Sequence, residues 1–261
     1  MFAPLRFLPK IAPMSPADFA AMPWKGATAH IGPVGQVTPL FEALLKKTNC
    51  ALYMIYLGCV GLCHQRTASV FDQKLNLLLM EQIFAYQFDG RYPKTFGITI
   101  DDVEDTADKT RAVRRSIAFF FFELLERAPG GFLSERPIMD IAHMIHLTRY
   151  LCGAPNADAV DGWLRGMIDR LNALAPSPVD HSPFIDDYPD RESWEAATAE
   201  THGTPLPLEV LDLALDLTGL DLAARAAAEL AEIDPDQNQL LVPPAALLAE
   251  GFAGRPYGRD R

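Results

Sequence analysis

The sequence predicts an all-α fold, an irregular multi-helix bundle of about eight to ten helices with a Pro- and Gly-rich N-terminal segment. The chain has 261 residues, of which 49% are hydrophobic, and this is enough for a large core. Ala and Leu dominate, Arg outnumbers Lys by 16 to 7, and β-branched residues are sparse. Unbranched side chains lose little rotamer freedom in a helix, so this composition favours helix over strand.

Residues 1–37 predict turns and extended segments, because they are rich in Pro and Gly and contain Gly-Pro-Val-Gly at 32–35. Regular helices are expected to begin after this segment. Thr38 is a suitable N-cap and Pro39 suits the first helical position, which predicts a helix to about Lys47.

The next two predicted helices form the centre of the protein. Asn49 can cap a helix over residues 50–64, whose first fourteen residues carry no charge. Fourteen residues span roughly 21 Å as a helix, less than the ~30 Å hydrocarbon layer of a membrane, so we expect a buried helix. A further helix is predicted over residues 67–88, where apolar residues recur at spacings of three and four.

Four consecutive phenylalanines mark another buried helix. Thr99 and Asp102 outline a capping box before an acidic first turn, and the helix that follows is predicted to reach Arg127. The phenylalanines occupy residues 119–122 of this helix. Because four successive positions point in all directions around a helix, this segment must be enclosed on every side. Pro-Gly-Gly at 129–131 ends it.

Two further helices precede a loop rich in Pro and Asp. Ser134 is the predicted cap of a helix that ends at Cys152, and Asn156 is the predicted cap of a helix over residues 157–175. Residues 176–190 then predict a surface loop.

Four shorter helices are predicted beyond the loop: residues 190–201, 205–218, 221–233 and 244–250. The middle two resemble an antiparallel helical hairpin that turns at Gly219. The predicted organisation is a helical core with an irregular N-terminal arm over residues 1–175, the loop over 176–190, and an acidic helical portion over 191–261. We expect the last portion to pack on the core as one domain.

Charge is distributed unevenly along the chain. The net charge is −11, and residues 176–261 hold 17 Asp or Glu against 5 Arg and no Lys, a net of −12. Such a field repels nucleic acid and anionic membranes and attracts basic protein surfaces. We therefore predict a basic protein partner, and no nucleic-acid or membrane ligand.

The predicted partner-binding residues lie in the 176–190 loop and just after it. Carboxylates are interleaved there with aromatic residues, a mixture that is typical of interface hot spots reached by electrostatic steering. Ordinary solvated loops and helix faces also produce acidic runs, and this alternative stays open. The predicted surface comprises Asp180, Phe184, Asp186, Asp187, Tyr188, Asp190, Glu192, Trp194 and Glu195.

An alternative site is the motif Asp140-x-x-His143-x-x-His146. Residues three apart are neighbours on a helix, so these side chains form one polar stripe. A carboxylate and two imidazoles are ligand types of Zn and non-haem Fe. The competing interpretation is a structural cluster in which the two histidines pair with Asp140 and nearby carbonyls.

The cysteines indicate the compartment. Cys50, Cys59, Cys63 and Cys152 are too few for a disulfide scaffold and lie in apolar segments, so they predict free, buried thiols in a reducing compartment. Four prolines interrupt residues 1–16, which therefore lack the apolar run of a signal peptide. We expect a cytoplasmic protein.

A basic cluster of Arg111, Arg114 and Arg115 could meet an anion. Acidic residues on the same helix, however, favour intrahelical ion pairs. These acidic residues are Asp105, Asp108 and Glu123. The chain has no nucleophile elbow, phosphate loop or dinucleotide fingerprint, so no catalytic residue is predicted.

These observations favour a protein-binding module that neutralises a basic partner, most concretely a bacterial toxin-immunity (inhibitor) protein without a cofactor. Such a protein needs a stable fold and a complementary charged surface. One alternative is a helical metal-dependent enzyme that uses Asp140, His143 and His146 with Zn or Fe. Another is a helical adaptor in a bacterial assembly, which would dock through the hairpin at residues 205–233.

Overall fold

The computed structural model describes residues 3–30, 38–95, 97–127, 137–178 and 187–259, and these ranges contain helices and turns but no β-strand. The predicted all-α multi-helix fold is confirmed. The helices are α1 (Pro16–Ala21), α2 (Pro39–Leu45), α3 (Asn49–Thr67), α4 (Lys74–Tyr86), α5 (Ile100–Glu104), α6 (Lys109–Arg127), α7 (Ile138–Cys152), α8 (Ala157–Leu174), α9 (Arg191–Glu200), α10 (Leu222–Glu232) and α11 (Pro244–Ala249).

Helix α3 crosses the centre of the protein, as its uncharged sequence predicts. Its side chains from Leu52 to Leu57 are at most 1% exposed. The hydroxyl of Thr48, one residue before the predicted cap, accepts a hydrogen bond from the backbone N–H of Ala51 (3.4 Å). A side chain at Gly58 would overlap the indole of Trp163, so glycine at this position permits the close approach of α8.

Helices α4, α6 and α7 surround α3, and the phenylalanine segment of α6 faces this core. Residues 119–122 are at most 6% exposed, which confirms that the four phenylalanines are enclosed. The Tyr56 hydroxyl accepts a hydrogen bond from the N–H of Phe121 (3.0 Å) and donates one to the carbonyl of Ile117 (3.3 Å). This buried hydroxyl joins α3 to α6 and keeps its own polar atom satisfied.

Helix α4 is shorter than the predicted range of 67–88, because residues 68–73 form turns. The side-chain amide of Gln73 donates hydrogen bonds to the carbonyls of Thr67 and Phe71, both at 2.8 Å. Local side-chain bonds of this kind satisfy backbone groups outside a helix and thus compete with helix formation.

The predicted helix over residues 205–218 is wrong, and the helical hairpin is therefore absent. Only one 3₁₀ turn, Leu208–Leu211, forms in this range, although the second member of the predicted hairpin is present as α10. The carboxylate of Asp212 accepts a hydrogen bond from the N–H of Ala214 (3.0 Å), which is a local turn. Carbonyls that an α-helix would use internally point instead to the guanidinium of Arg170.

Caps predicted from local residues are present at several helix starts. Thr38 accepts a backbone hydrogen bond (3.2 Å) at the start of α2, and Thr99 and Asp102 form the predicted capping box of α5. Asn156 precedes α8, but its side chain makes no cap bond. The side-chain oxygen Oδ1 of Asn156 instead accepts a hydrogen bond from the backbone N–H of Ala12 (2.9 Å), and this bond holds the N-terminal arm against the helices.

One cluster of buried hydrophobic residues extends from Phe7 to Tyr257 and includes residues before and after the 176–190 loop. The predicted division into three parts stays a prediction. Of the helices in the described ranges, none combines the length and the apolarity that crossing a bilayer requires. Three sequence features lie outside the described residues: Ser134 and the turns at 32–35 and 129–131.

Candidate functional site

The structure describes only part of the predicted acidic surface. Three of its residues, Asp180, Phe184 and Asp186, lie outside the described ranges, as does the side chain of Glu195 in α9. The exposed members are Asp187, Asp190 and Glu192, and Tyr188 is half-buried. The carboxylates of Asp187, Asp190 and Glu192 therefore remain candidate residues of the acidic surface.

Trp194 does not belong to an exposed surface. Its side chain is only 4% exposed, and Ala197, three residues further along α9, is also buried. Residues three apart share one face of a helix, so Trp194 lies on the inward face. The expectation that this tryptophan is an exposed interface aromatic is wrong.

Exposed apolar residues occur instead in residues 212–221, which we name the Leu/Asp loop. Leu213, Leu215 and Leu220 are 36%, 39% and 40% exposed. Within the described part of the chain, they are half of the six large hydrophobic side chains that are exposed. Apolar side chains grouped in this way mark candidate interaction surfaces, whereas isolated ones need no explanation.

Three carboxylates accompany the exposed leucines of the loop: Asp212 and Asp221 flank them, and Asp216 lies between Leu215 and Leu220. Each of them accepts one backbone hydrogen bond: Asp212 from Ala214 (3.0 Å), Asp216 from Thr218 (2.9 Å) and Asp221 from Ala224 (3.0 Å). The bonds from Thr218 hold the pKa of Asp216 below its ordinary value. The loop therefore presents negative charge and apolar area together at neutral pH.

Arg170 of α8 fixes the backbone of the Leu/Asp loop. Its guanidinium donates to the carbonyls of Asp212 (2.6 Å), Leu213 (3.0 Å) and Leu215 (2.8 Å), and to that of Val210 (3.4 Å). Hydrogen bonds from a charged donor are stronger than neutral ones. One side chain therefore orders the loop, in which Leu217 is buried while Leu213, Leu215 and Leu220 remain exposed.

A hollow of about 350 Å³ lies beside the loop. Leu213 forms one side of it, Trp163 of α8 and Phe7 of the N-terminal arm form others, and Arg6 stands at its edge. The Trp163 indole N–H donates to the carbonyl of Leu211 (3.0 Å), which holds this wall in place. An anchor side chain of a partner fits a depression of this kind.

Next to Arg6, two glutamates approach each other in a second hollow of 260 Å³. Glu229 accepts a hydrogen bond from the N–H of Leu208 (2.7 Å), and Glu209 pairs with Arg225. Burial raises the pKa of Glu229 to about 7, and the charge of Glu209 acts in the same direction. Local spacing along the chain does not reveal this pair, because only the fold brings position 209 to α10.

The alternative metal site does not form. Asp140, His143 and His146 all lie on α7, but the described ranges contain no group of three His, Cys, Asp or Glu that could hold a metal ion. Asp140 and His146 are ~9 Å apart along the helix axis, whereas ligands lie ~2 Å from one metal ion. The His143 ring packs against Phe120 (centroids 5.4 Å apart), and burial followed by the charge of Arg149 lowers the pKa of His146.

All four cysteines are free and buried, as predicted. Burial raises the pKa of Cys59 and of Cys63 to about 12, so neither is a reactive thiolate. The sulfur of Cys50 lies 3.5 Å from Nε2 of His202, but the same nitrogen is 3.0 Å from the carbonyl of Gln87. Its N–H donates to that carbonyl, so His202 is not a base for the thiol.

The arginine cluster of α6 pairs with other residues than those predicted. Arg111 and Arg115 both pair with Asp102 of α5, and Arg114 lies 3.6 Å from Asp72. The expected intrahelical pairs are therefore replaced by pairs between segments.

No protein-family model matches this chain, and no curated protein and no solved structure shows a significant match to it. The function is therefore argued from the geometry and the charge of the chain itself.

Proposed function

We propose that this protein is a binding module that docks on a basic protein through its acidic C-terminal portion and neutralises it. The most concrete form of this function is a bacterial toxin inhibitor. The observation that carries the proposal is the Leu/Asp loop, where exposed leucines stand between carboxylates on a backbone held by Arg170. Such an inhibitor needs a complementary surface and no catalytic group.

The loop defines the chemistry of the partner. Burial of an exposed leucine gains roughly 25 cal/mol for each Å² of apolar area removed from water. The partner should therefore offer an apolar depression to Leu213, Leu215 and Leu220. Lys or Arg around that depression would face Asp216 and Asp221, because opposite potentials guide association and exclude wrong partners.

The fixed backbone of the loop supports tight binding. A flexible loop loses conformational entropy when a partner orders it, and this loss weakens association. Arg170 and Trp163 already bind five of the six carbonyls of residues 210–215 in the free protein. Most of the ordering is thus complete before the partner arrives.

The surrounding charge supports fast association. Residues 176–261 carry a net charge of −12, and the exposed carboxylates of Asp187, Asp190 and Glu192 add to the field of the loop. Long-range attraction of this sign raises the association rate with a basic protein and weakens as salt screens it.

The test separates the charge of the loop from its shape. The partner is first recovered by pull-down from native cell extract, and its association rate is then measured with the triple variant D212N/D216N/D221N. Asn keeps the oxygen that accepts each backbone hydrogen bond, so the loop should retain its conformation. We expect the variant to associate more slowly at low salt, with a smaller salt dependence.

A charge change elsewhere provides the control. Glu250→Gln removes a single exposed carboxylate at the end of α11, outside residues 212–221, and should leave the association rate nearly unchanged. Equal salt dependence of the wild-type protein and the triple Asn variant would show that the loop does not steer the partner.

A further inference from the structure

A second candidate site lies on a different part of the molecule, where the beginning of α4 faces the first turns of α6. This pocket has a volume of about 420 Å³, within the range of small-molecule sites. Four cationic side chains line it: Lys74, Arg111, Arg114 and Arg115. In a protein of net charge −11, this is an unexpected concentration of positive charge.

The neighbouring carboxylates leave the pocket with surplus donors. Asp102 accepts from both Arg111 and Arg115, and its other oxygen is occupied by Thr99. Asp108, the one acidic lining residue, accepts from the backbone N–H of Arg111 (3.0 Å). Each guanidinium has five N–H donors, so most donors of these two arginines remain open to a ligand.

Arg114 is the most weakly satisfied of the three arginines. Its nearest carboxylate, that of Asp72, is 3.6 Å away, and the Asp72 side chain is 68% exposed. An ion pair of this kind contributes little in water. The Nε atom of Arg114 is buried and has no hydrogen-bond partner among the described residues. A buried N–H without an acceptor is unfavourable, and an oxyanion in the pocket would supply one.

The floor of the pocket is apolar. Leu75 and Leu78 of α4 line it and are only partly buried by the core. A ligand with an anionic head and an apolar body would cover these leucines and reach the guanidinium groups together. The positive end of the α6 dipole lies at the same place, since Thr110 belongs to the first turn of this 19-residue helix.

We propose that this pocket binds a small organic oxyanion, a phosphate ester or a carboxylate with an apolar body, through Arg114 with Lys74, Arg111 and Arg115 around it. The proposal is independent of the protein-docking surface and could hold if that surface proved wrong. A fork of guanidinium donors suits both head groups, because each presents paired oxygens.

Four probes test the head and the body of the ligand separately: phenyl phosphate, benzoate, inorganic phosphate and benzyl alcohol. Binding to the whole protein is measured by titration calorimetry at low salt. We expect one saturable site for phenyl phosphate or benzoate, weaker binding of inorganic phosphate, and none of benzyl alcohol. The aromatic anion that binds more tightly shows whether the site prefers a phosphate or a carboxylate head group.

Two matched variants locate the site. Arg114→Gln should weaken binding of the aromatic anion by about tenfold, the value of one charge-assisted hydrogen bond. Arg165→Gln removes an exposed arginine of α8 that is not part of the pocket, and it should leave the affinity unchanged. Circular dichroism and a melting curve check that both variants fold.

Three results would overturn the proposal. The first is the absence of saturable binding for both aromatic anions. The second is an equal loss of affinity in the two variants, which would mean that only net charge matters. The third is inorganic phosphate binding as tightly as phenyl phosphate, which would remove the role of Leu75 and Leu78.

Discussion

Helix α3 and the Leu/Asp loop are both rich in leucine, yet they place it in opposite environments. Leu52, Leu57 and Leu62 of α3 are fully buried, whereas Leu213 and Leu215 of the loop are more than a third exposed. The first fourteen residues of the predicted α3 helix carry no charge, and the loop has a carboxylate every four or five residues. Leucine enters the core where no neighbour requires water, and it remains at the surface where aspartates hold the chain there.

The two regions also differ in what holds their backbone. Helix α3 satisfies its own N–H and carbonyl groups through intrahelical bonds. The Leu/Asp loop depends on one side chain from another helix, Arg170, for several of its carbonyls. A surface built in this way keeps its shape without becoming part of the core, and this is the property that the proposed docking function needs.

The largest expected effect comes from replacing one leucine by alanine in each of the two regions and comparing the losses of stability. Leu57→Ala in α3 should lower the free energy of unfolding by about 2–5 kcal/mol, because it leaves a cavity in a packed core. Leu215→Ala in the loop should change it by less than about 0.5 kcal/mol, since the side chain is already exposed. Urea denaturation of both variants measures the difference, and similar losses would contradict the contrast between the regions.

A smaller effect is expected when the loop loses its support. Arg170→Met keeps the aliphatic stem but removes the hydrogen bonds to four carbonyls between positions 210 and 215, and should lower the free energy of unfolding by about 2 kcal/mol. Amide exchange of residues 211–217 should accelerate, while that of α3 should not. Arg165→Met is the control on the same helix, and unchanged exchange in the Arg170 variant would show that the loop holds itself.

The smallest expected effect is a pH dependence of the folding stability, which arises from Glu229 of α10. The pKa of Glu229 is raised from 4.5 to about 7, chiefly by burial, so folding favours its protonated form. The stability that this group contributes is fully present below pH 4.5 and is lost as the pH rises through 7. Relative to Glu229→Gln, the wild-type protein should therefore lose stability between these values, and a constant difference from pH 4 to 8 would exclude the shift.

Features that depend on neighbouring residues could be predicted from the sequence. The uncharged run of α3, the four phenylalanines of α6 and the capping box of Thr99 and Asp102 each act within a few positions. The helix predicted at 205–218 failed for a different reason. Its carbonyls bind Arg170, some forty residues earlier in the chain, and its aspartates bind nearby backbone N–H groups.

The candidate sites show the same limit. The pairing of Glu209 with Glu229 and the place of Arg114 beside α4 depend on contacts between distant segments, and local spacing cannot reveal them. The burial of Trp194 was also missed, because an acidic neighbourhood suggested an exposed aromatic while the helix face decided its position. Charge was the one long-range property that composition alone disclosed.

The most direct test of the docking surface compares two leucine variants as bait in native cell extract. The variant L213S/L215S/L220S removes the three exposed leucines of the Leu/Asp loop, and L77S/L248S removes two leucines outside the loop that are slightly more exposed, at 44% and 42%. We expect the wild-type protein and L77S/L248S to retain one stoichiometric basic protein that high salt releases, and L213S/L215S/L220S to lose it. Retention of the same protein by all three baits would contradict the assignment of the loop as the docking surface.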